Sequence, residues 1–339
     1  MTPPPSDAAP GPRPWLKILA AYRKPRIGRS VFELLITVIP FLIVWGLAMV
    51  ALHYKIWWGL ILIVPAAGLL LRLFAIQHDC GHGAFFANRS ADNWTGRILS
   101  VLTFTPYEYW RHTHGVHHAT AGNLDKRGLG DIITLTVDEY HALSPWGRFK
   151  YRLYRHPLVL FLLGPAWIYF VQQRVPIGMM KAGLKPWLST LANTLGIVVL
   201  TALLIWWLGI ASVLLVQIPV VMLAGAAGIW LFYVQHQFEA THWSTGADWD
   251  FQTAALQGSS HYDLPGVLRW LTANIGIHHV HHLASRIPYY RLPEVLRDHP
   301  DLAPVSRITL MDSVRSVKLV LWDEARGRLV SFREVVSKT

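Results

Sequence analysis

Four apolar runs of about twenty residues, each nearly free of charge, restrict this chain to a membrane-spanning architecture. They cover about Val31–Leu52, Ile56–Gln77, Leu188–Leu208 and Ile210–Gln235. Hydrocarbon offers no partner to an unpaired N–H or C=O, so each run must close its own backbone hydrogen bonds as a helix. The first carries Glu33 near its start, the second is uncharged until Arg72, and the last two hold no formal charge. The links inside each pair are residues 53–55 and Gly209, which makes two hairpins. Pro40, Pro65 and Pro219 fall within the runs, where kinks are tolerated. The expected fold class is an all-α integral membrane protein with four transmembrane helices in two hairpins beneath a helical cap.

Length alone would suggest two soluble domains for 339 residues, but a chain that is 53% hydrophobic and 15% charged overrides that prior. Residues 1–14, rich in Pro and small side chains, read as a disordered tail. Residues 15–300 form the membrane domain, and 301–339 read as an amphipathic helical tail closing the cap. Ile308, Met311, Val314, Val317 and Leu321 give that tail its helical spacing. A fifth apolar run, Leu158–Val171, is too short to span and is broken by Gly164 and Pro165; an interfacial segment over about 157–173 fits it better. The basic stretch Trp15–Ser30 resembles the start of a secretory signal, yet the apolar run that follows is too long, and an uncleaved first span is expected.

Of the 31 Lys and Arg, 29 lie before Val31, between His78 and Trp187, or after Gln235. Four crossings put all three blocks on one side, and the positive-inside rule makes that side cytoplasmic. A net charge of +11 invites nucleic acid as a partner, but no recognition motif or basic–aromatic interleaving supports it. Anionic lipid heads and an acidic redox partner suit the charge better.

Within the cap the chain reads N-I-G-I-H-H-V-H-H-L at Asn274–Leu283. His278, His281 and His282 form H-x-x-H-H, which on a helix puts three imidazoles on one face. His114, His117 and His118 repeat the spacing, and His78 and His82 sit in H-D-C-G-H at the end of the second span. At this histidine frequency one H-x-x-H-H arises by chance about once in 25 such chains, so two copies point to a built site. Eight imidazoles exceed one ion's coordination sphere and suit two; His236, just past the fourth span, is a plausible ninth. An all-nitrogen donor set excludes calcium and magnesium and leaves iron, zinc, copper or nickel. The single cysteine, Cys80, rules out an internal disulfide and reads as a small buried thiol rather than a ligand.

The three sets, H78-D-C-G-H82, H114-G-V-H117-H118 and H278-H-V-H281-H282, resemble the histidine boxes of the membrane-bound fatty acid desaturases. The likeness runs from about Phe32 to Pro293, and the box wording looks most like the acyl-lipid Δ12/ω6-type branch. It implies two iron ions on the cytosolic side of a four-helix unit, held by His78, His82, His114, His117, His118, His278, His281 and His282. His236 matches a further family ligand by position, while His112 and His279 fall off the spacing. The implied reaction is O2-dependent removal of two hydrogens from an unactivated acyl chain, leaving a cis double bond. The box context at Asp79, Asn93, Asn123, Asp125 and Asp131 reads equally as carboxylates orienting ligand imidazoles or as a turn. Trp110, Tyr107, Phe85 and Phe86 are candidate channel lining. Glu239 and His242 make one E-x-x-H, too few for a soluble ferritin-like site.

No dinucleotide fingerprint, P-loop or fused cytochrome b5 motif occurs, so a separate donor of ferredoxin or cytochrome b5 type must bring the electrons. The rival outcome is a di-iron hydroxylase or ketolase of a lipid, alkane or carotenoid, which the same boxes could serve. A His-rich metal transporter or bis-His haem protein is a remoter rival, since neither type leaves its span centres free of His. The expected setting is a bacterial inner membrane, with both termini and the site cytoplasmic.

Overall fold

The computed structural model describes residues 14–336; the tail expected over 1–14 lies, Pro14 apart, outside the described residues. Helices dominate. Four are long and apolar enough to cross a membrane: Ile27–His53, Trp57–His82, Leu184–Leu208 and Ile210–His236. We call the first α1, the α-helical part Ile63–His82 α2, and the last two α5 and α6; α3 (Arg89–Leu102) and α4 (Tyr107–Thr120) lie between the hairpins. Pro65 falls in the first turn of α2, after a tight 3-10 turn over Trp57–Leu62, where a missing N–H costs little. Pro40 and Pro219 sit inside α1 and α6.

Local chemistry sets the ends that carry function. Gly83 terminates α2 at φ +68°, and its N–H returns to the carbonyls of Asp79 and Cys80. The Asn88 side chain then caps α3 by accepting from the Ser90 and Ala91 N–H groups. Gly96 on α3 leaves room for the Tyr107 ring, and the Tyr107 hydroxyl donates to the Cys80 carbonyl at 2.8 Å. Gln77 adds to this join, donating to the Thr105 carbonyl at 3.0 Å and accepting from Thr103 Oγ1. The ends of α2 and α4 are thereby locked together.

A buried ionic network ties the first hairpin to the cap. Glu33 on α1 and Arg72 on α2, each 2% exposed, form an ion pair. Arg29 also reaches Glu33 at 2.6 Å. Tyr289 donates its hydroxyl to Glu33 at 3.0 Å and its N–H to Asp79 at 2.7 Å. Arg72 donates to the Trp270 carbonyl and stacks over the Trp270 ring at 4.2 Å.

The short fifth run is a π-helical turn, Val159–Leu163, running into a helix over Gly164–Phe170 that packs on α6. Leu158, Leu162, Leu163 and Trp167 are exposed along it.

The cap also holds strands that the sequence patterning did not reveal. Leu135–Thr136 (β1) pairs in parallel with Leu321–Asp323 (β4), which pairs antiparallel with Arg328–Val330 (β5). His261–Tyr262 (β2) pairs in parallel with Arg307–Ile308 (β3). These strands correct the expectation of one amphipathic helix over the C-terminal tail. Thr309 and Asp312 form a capping box that starts a short helix at Leu310, so Ile308 stays in β3. That helix ends at Ser316, Met311 and Val314 on it are exposed, and Leu321 is buried in β4. Spacing alone missed the cap that divides the pattern.

Candidate metal centre

The histidines arrive on four pieces of backbone. His78 and His82 stand one turn apart at the end of α2, and His114, His117 and His118 share α4. His236 is the last residue of α6, and His278, His281 and His282 lie on the short helix His278–Leu283. The backbone before that helix is anchored: the His278 and His279 N–H groups both donate to the Ser260 carbonyl at 3.2 Å.

Together these segments form two sets. His78, His82, His114, His118 and His281 make one, and His117, His236, His278 and His282 the other, with the donor atoms of each set within 4.8 Å of one another. Each H-x-x-H-H helix feeds both. His117 and His118 are neighbours in sequence but point into different sets, as do His281 and His282. The sets abut, with the His118 and His282 rings stacked at 4.1 Å.

The nitrogens that face one another are Nε2. His78 and His114 approach to 3.0 Å, His114 and His118 to 3.1 Å, and His118 and His281 to 3.1 Å. In the second set His236 lies 3.1 Å from both His117 and His278. Imidazoles about 2.1 Å from a common ion, at bond angles near 90°, have neighbouring nitrogens about 3.0 Å apart. The buried Nε2 atoms of His82 and His282 find no hydrogen-bond partner among the described residues, and the other facing Nε2 atoms meet only one another. Buried polar atoms are normally paired, and so many facing lone pairs suit cations among them. Burial, reinforced by neighbouring imidazoles, holds His114, His118, His278, His281 and His282 well below the ordinary histidine range. They are neutral near pH 7, as ligands must be.

Outer contacts orient several rings. His117 Nδ1 meets Asp131 Oδ1 at 2.5 Å, and His236 Nδ1 donates to the Gly258 carbonyl at 3.1 Å. The Trp110 indole stacks on His114 at 4.6 Å. Of the polar residues near the boxes, Asp131 is thus the one whose side chain bonds a box imidazole. Asn123 and Asp125 form the turn, bonding the Asp125 N–H at 2.9 Å and the Gly246 N–H at 2.6 Å. Asp79 serves the Tyr289 backbone and stands 3.5 Å from His78 Nδ1, too far for a good hydrogen bond. Asn93 accepts from Tyr107 and Arg111. Cys80 is buried outside both sets, and the exposed Glu239 and half-buried His242 lie outside them too. His112 is exposed, and His279 turns away to the Leu302 carbonyl at 3.0 Å. The Gly258 carbonyl had no sequence signal, since any residue type supplies one.

Two histidine sets with no carboxylate or thiolate among their donors suit two transition-metal ions beside the ends of membrane-spanning helices. Known proteins agree. The model of the fatty acid desaturase family matches residues 55–313. A fatty acid desaturase of Bacillus subtilis is 43% identical over 319 residues, 94% of this chain and 90% of its own length. An sn-1 acyl-lipid omega-3 desaturase (ferredoxin) of a Synechocystis species is 28% identical over 66% of this chain and 62% of its own. The Δ12 likeness is more distant: a Delta(12)-fatty-acid desaturase of Vernicia fordii is 27% identical over 68% of this chain and 62% of its own. This chain belongs to the fatty acid desaturase family, and is a membrane enzyme of the oxidoreductase class.

Proposed function

We propose that the enzyme puts a cis double bond into acyl chains of membrane lipids at two iron ions, one held by each histidine set. The observation that carries this reading is the division of nine imidazoles into five and four. His78, His82, His114, His118 and His281 would hold one ion, and His117, His236, His278 and His282 the other. Iron so held supplies the oxidising power, with O2, that an unactivated methylene demands. Two hydrogens leave adjacent carbons; with two electrons and two protons they reduce O2 to two waters. The printed name of the Synechocystis relative supports ferredoxin as the source of electrons, and a cytochrome b5 type of donor serves the same chemistry.

The chain's own groups position and exclude. Asp131 and the Gly258 carbonyl fix the tautomer and aim of His117 and His236. Trp110 holds His114 by stacking. Near-complete burial of His117, His278, His281 and His282 keeps bulk water from the reacting carbons. The basic blocks support both termini and the site on the cytoplasmic side, and the likeness to the Bacillus subtilis enzyme supports a bacterial inner (plasma) membrane.

The test is expression in a host lacking polyunsaturated lipids, followed by fatty-acid profiling under 18O2, with metal analysis of the purified protein. Two irons per chain and a new double bond without 18O in the lipid are expected. Retained 18O would make the enzyme a hydroxylase, and zinc in place of iron would end the oxidative reading.

A further inference from the structure

A cavity of about 130 Å³ opens against the backbone that leads into the third box. Asn274, Gly276 and Ile277 line it immediately before His278. It has room for several waters or one small anionic group. Asp263 and Arg269 also line it. Arg307 holds Asp263 through one carboxylate oxygen, at 2.7 and 3.1 Å. Arg269 lies close enough to Asp263 and His261 to influence both, yet its side chain makes no hydrogen bond or ion pair among the described residues. Two guanidiniums against one carboxylate leave a net positive charge at the cavity.

The short helix Gly266–Leu271 (α7) brings Arg269 to this place. Its Leu271 packs where a side chain on Gly68 would stand, and its Trp270 lies beneath Arg72. Gly68 and Arg72 are roughly 21 and 15 Å down α2 from His82, at 1.5 Å per residue, so α7 lies alongside a membrane span. Val267, Leu268 and Trp270 on it are 74, 39 and 40% exposed. Such a surface suits lipid better than water. A charged cavity next to an apolar, span-hugging helix matches a molecule with a polar head and acyl tails.

We propose that this cavity binds the headgroup of a glycerophospholipid. Arg269 takes the phosphate, and the Asp263 carboxylate accepts from a hydroxyl or ammonium beyond it. The site positions a lipid beside the third box, and in that role it rests on the acyl-lipid reading above.

The test uses the full-length enzyme in nanodiscs containing phosphatidylglycerol, comparing wild type with Arg269→Gln and Arg269→Lys. Lipid retained after extraction is read by native mass spectrometry, and KM and kcat are read on the same lipid. Losing a charge-assisted hydrogen bond is expected to cut retained lipid and raise KM roughly tenfold, with kcat held; Arg269→Lys is expected to recover most of both. Unchanged retention and KM in Arg269→Gln would overturn the site. So would inorganic phosphate displacing the lipid at equal concentration, which would mark a free-anion site. A wild type that desaturates acyl thioesters but not intact phospholipid overturns the acyl-lipid reading instead, whatever the retention data show.

Discussion

Asp131→Asn separates the two histidine sets. Asp131 Oδ1 sits 2.5 Å from His117 Nδ1, with its side chain 14% exposed, so solvent screens the contact little. The substitution keeps an acceptor oxygen in place and removes the negative charge, whereas Asp131→Ala removes both. Carboxylates that orient metal-bound imidazoles are typically worth 10–100-fold in affinity, or about 1.4–2.7 kcal/mol. That cost falls on the set of His117, His236, His278 and His282, because Asp131 bonds none of the other five imidazoles. Iron-loaded protein is dialysed against a graded chelator series and metal per chain is counted by mass spectrometry. The variant is expected to shed one iron at 10–100-fold weaker chelation and to hold a plateau of one per chain, with Asp131→Ala shifted further. Loss of both ions together, or a curve overlying wild type, would refute the assignment of Asp131 to one set.

Acid weakens the metal-free cap: His114, His118, His278, His281 and His282 stay neutral when folded, well below their ordinary 6.5. The unfolded chain therefore binds more protons below that pH, and each such imidazole costs up to about 1.4 kcal/mol of stability per pH unit. The thermal midpoint of metal-free protein is expected to be level above pH 7 and to fall below 6.5; a level profile down to pH 5 would contradict the neutral-imidazole account. Arg72→Leu leaves Glu33 with only Arg29 and the Tyr289 hydroxyl as partners and is expected to cost about 1–3 kcal/mol, while the double change with Glu33→Leu recovers most of it. Chemical denaturation of the three variants in one double-mutant cycle checks this. Gly96→Ala pushes into the Tyr107 ring, which bonds Cys80 and locks α4 to α2; a loss of roughly 1–3 kcal/mol is expected in the same assay.

The spans and the histidine sets were legible because each obeys a one-dimensional rule. Unbroken hydrophobicity marks a span, and i, i+3, i+4 spacing marks a helix face. The division into five and four was not legible, since it depends on the angle at which the second-box and third-box helices meet. Nor was the choice of Asp131 over Asp125, which the turn geometry between them decides. The tail misled because Ile308, Met311 and Val314 do keep a helical period, while Thr309 with Asp312 begins a new helix in the middle of it. Strands of two or three residues, such as His261–Tyr262, are too short to show alternation.

Adjacent histidines that point into different sets would have a further effect once metal is bound. The imidazoles come from chain segments far apart in sequence, and the protein's single cysteine, Cys80, can form no internal disulfide to fasten them. Bound iron would therefore act as the stitching of the cap, each closure worth about 3–5 kcal/mol by the loop-entropy reckoning used for covalent staples. In iron-starved cells the hairpins would still insert and the roof would still close, but it would open to proteases more often. Enzyme abundance would then fall with the iron supply.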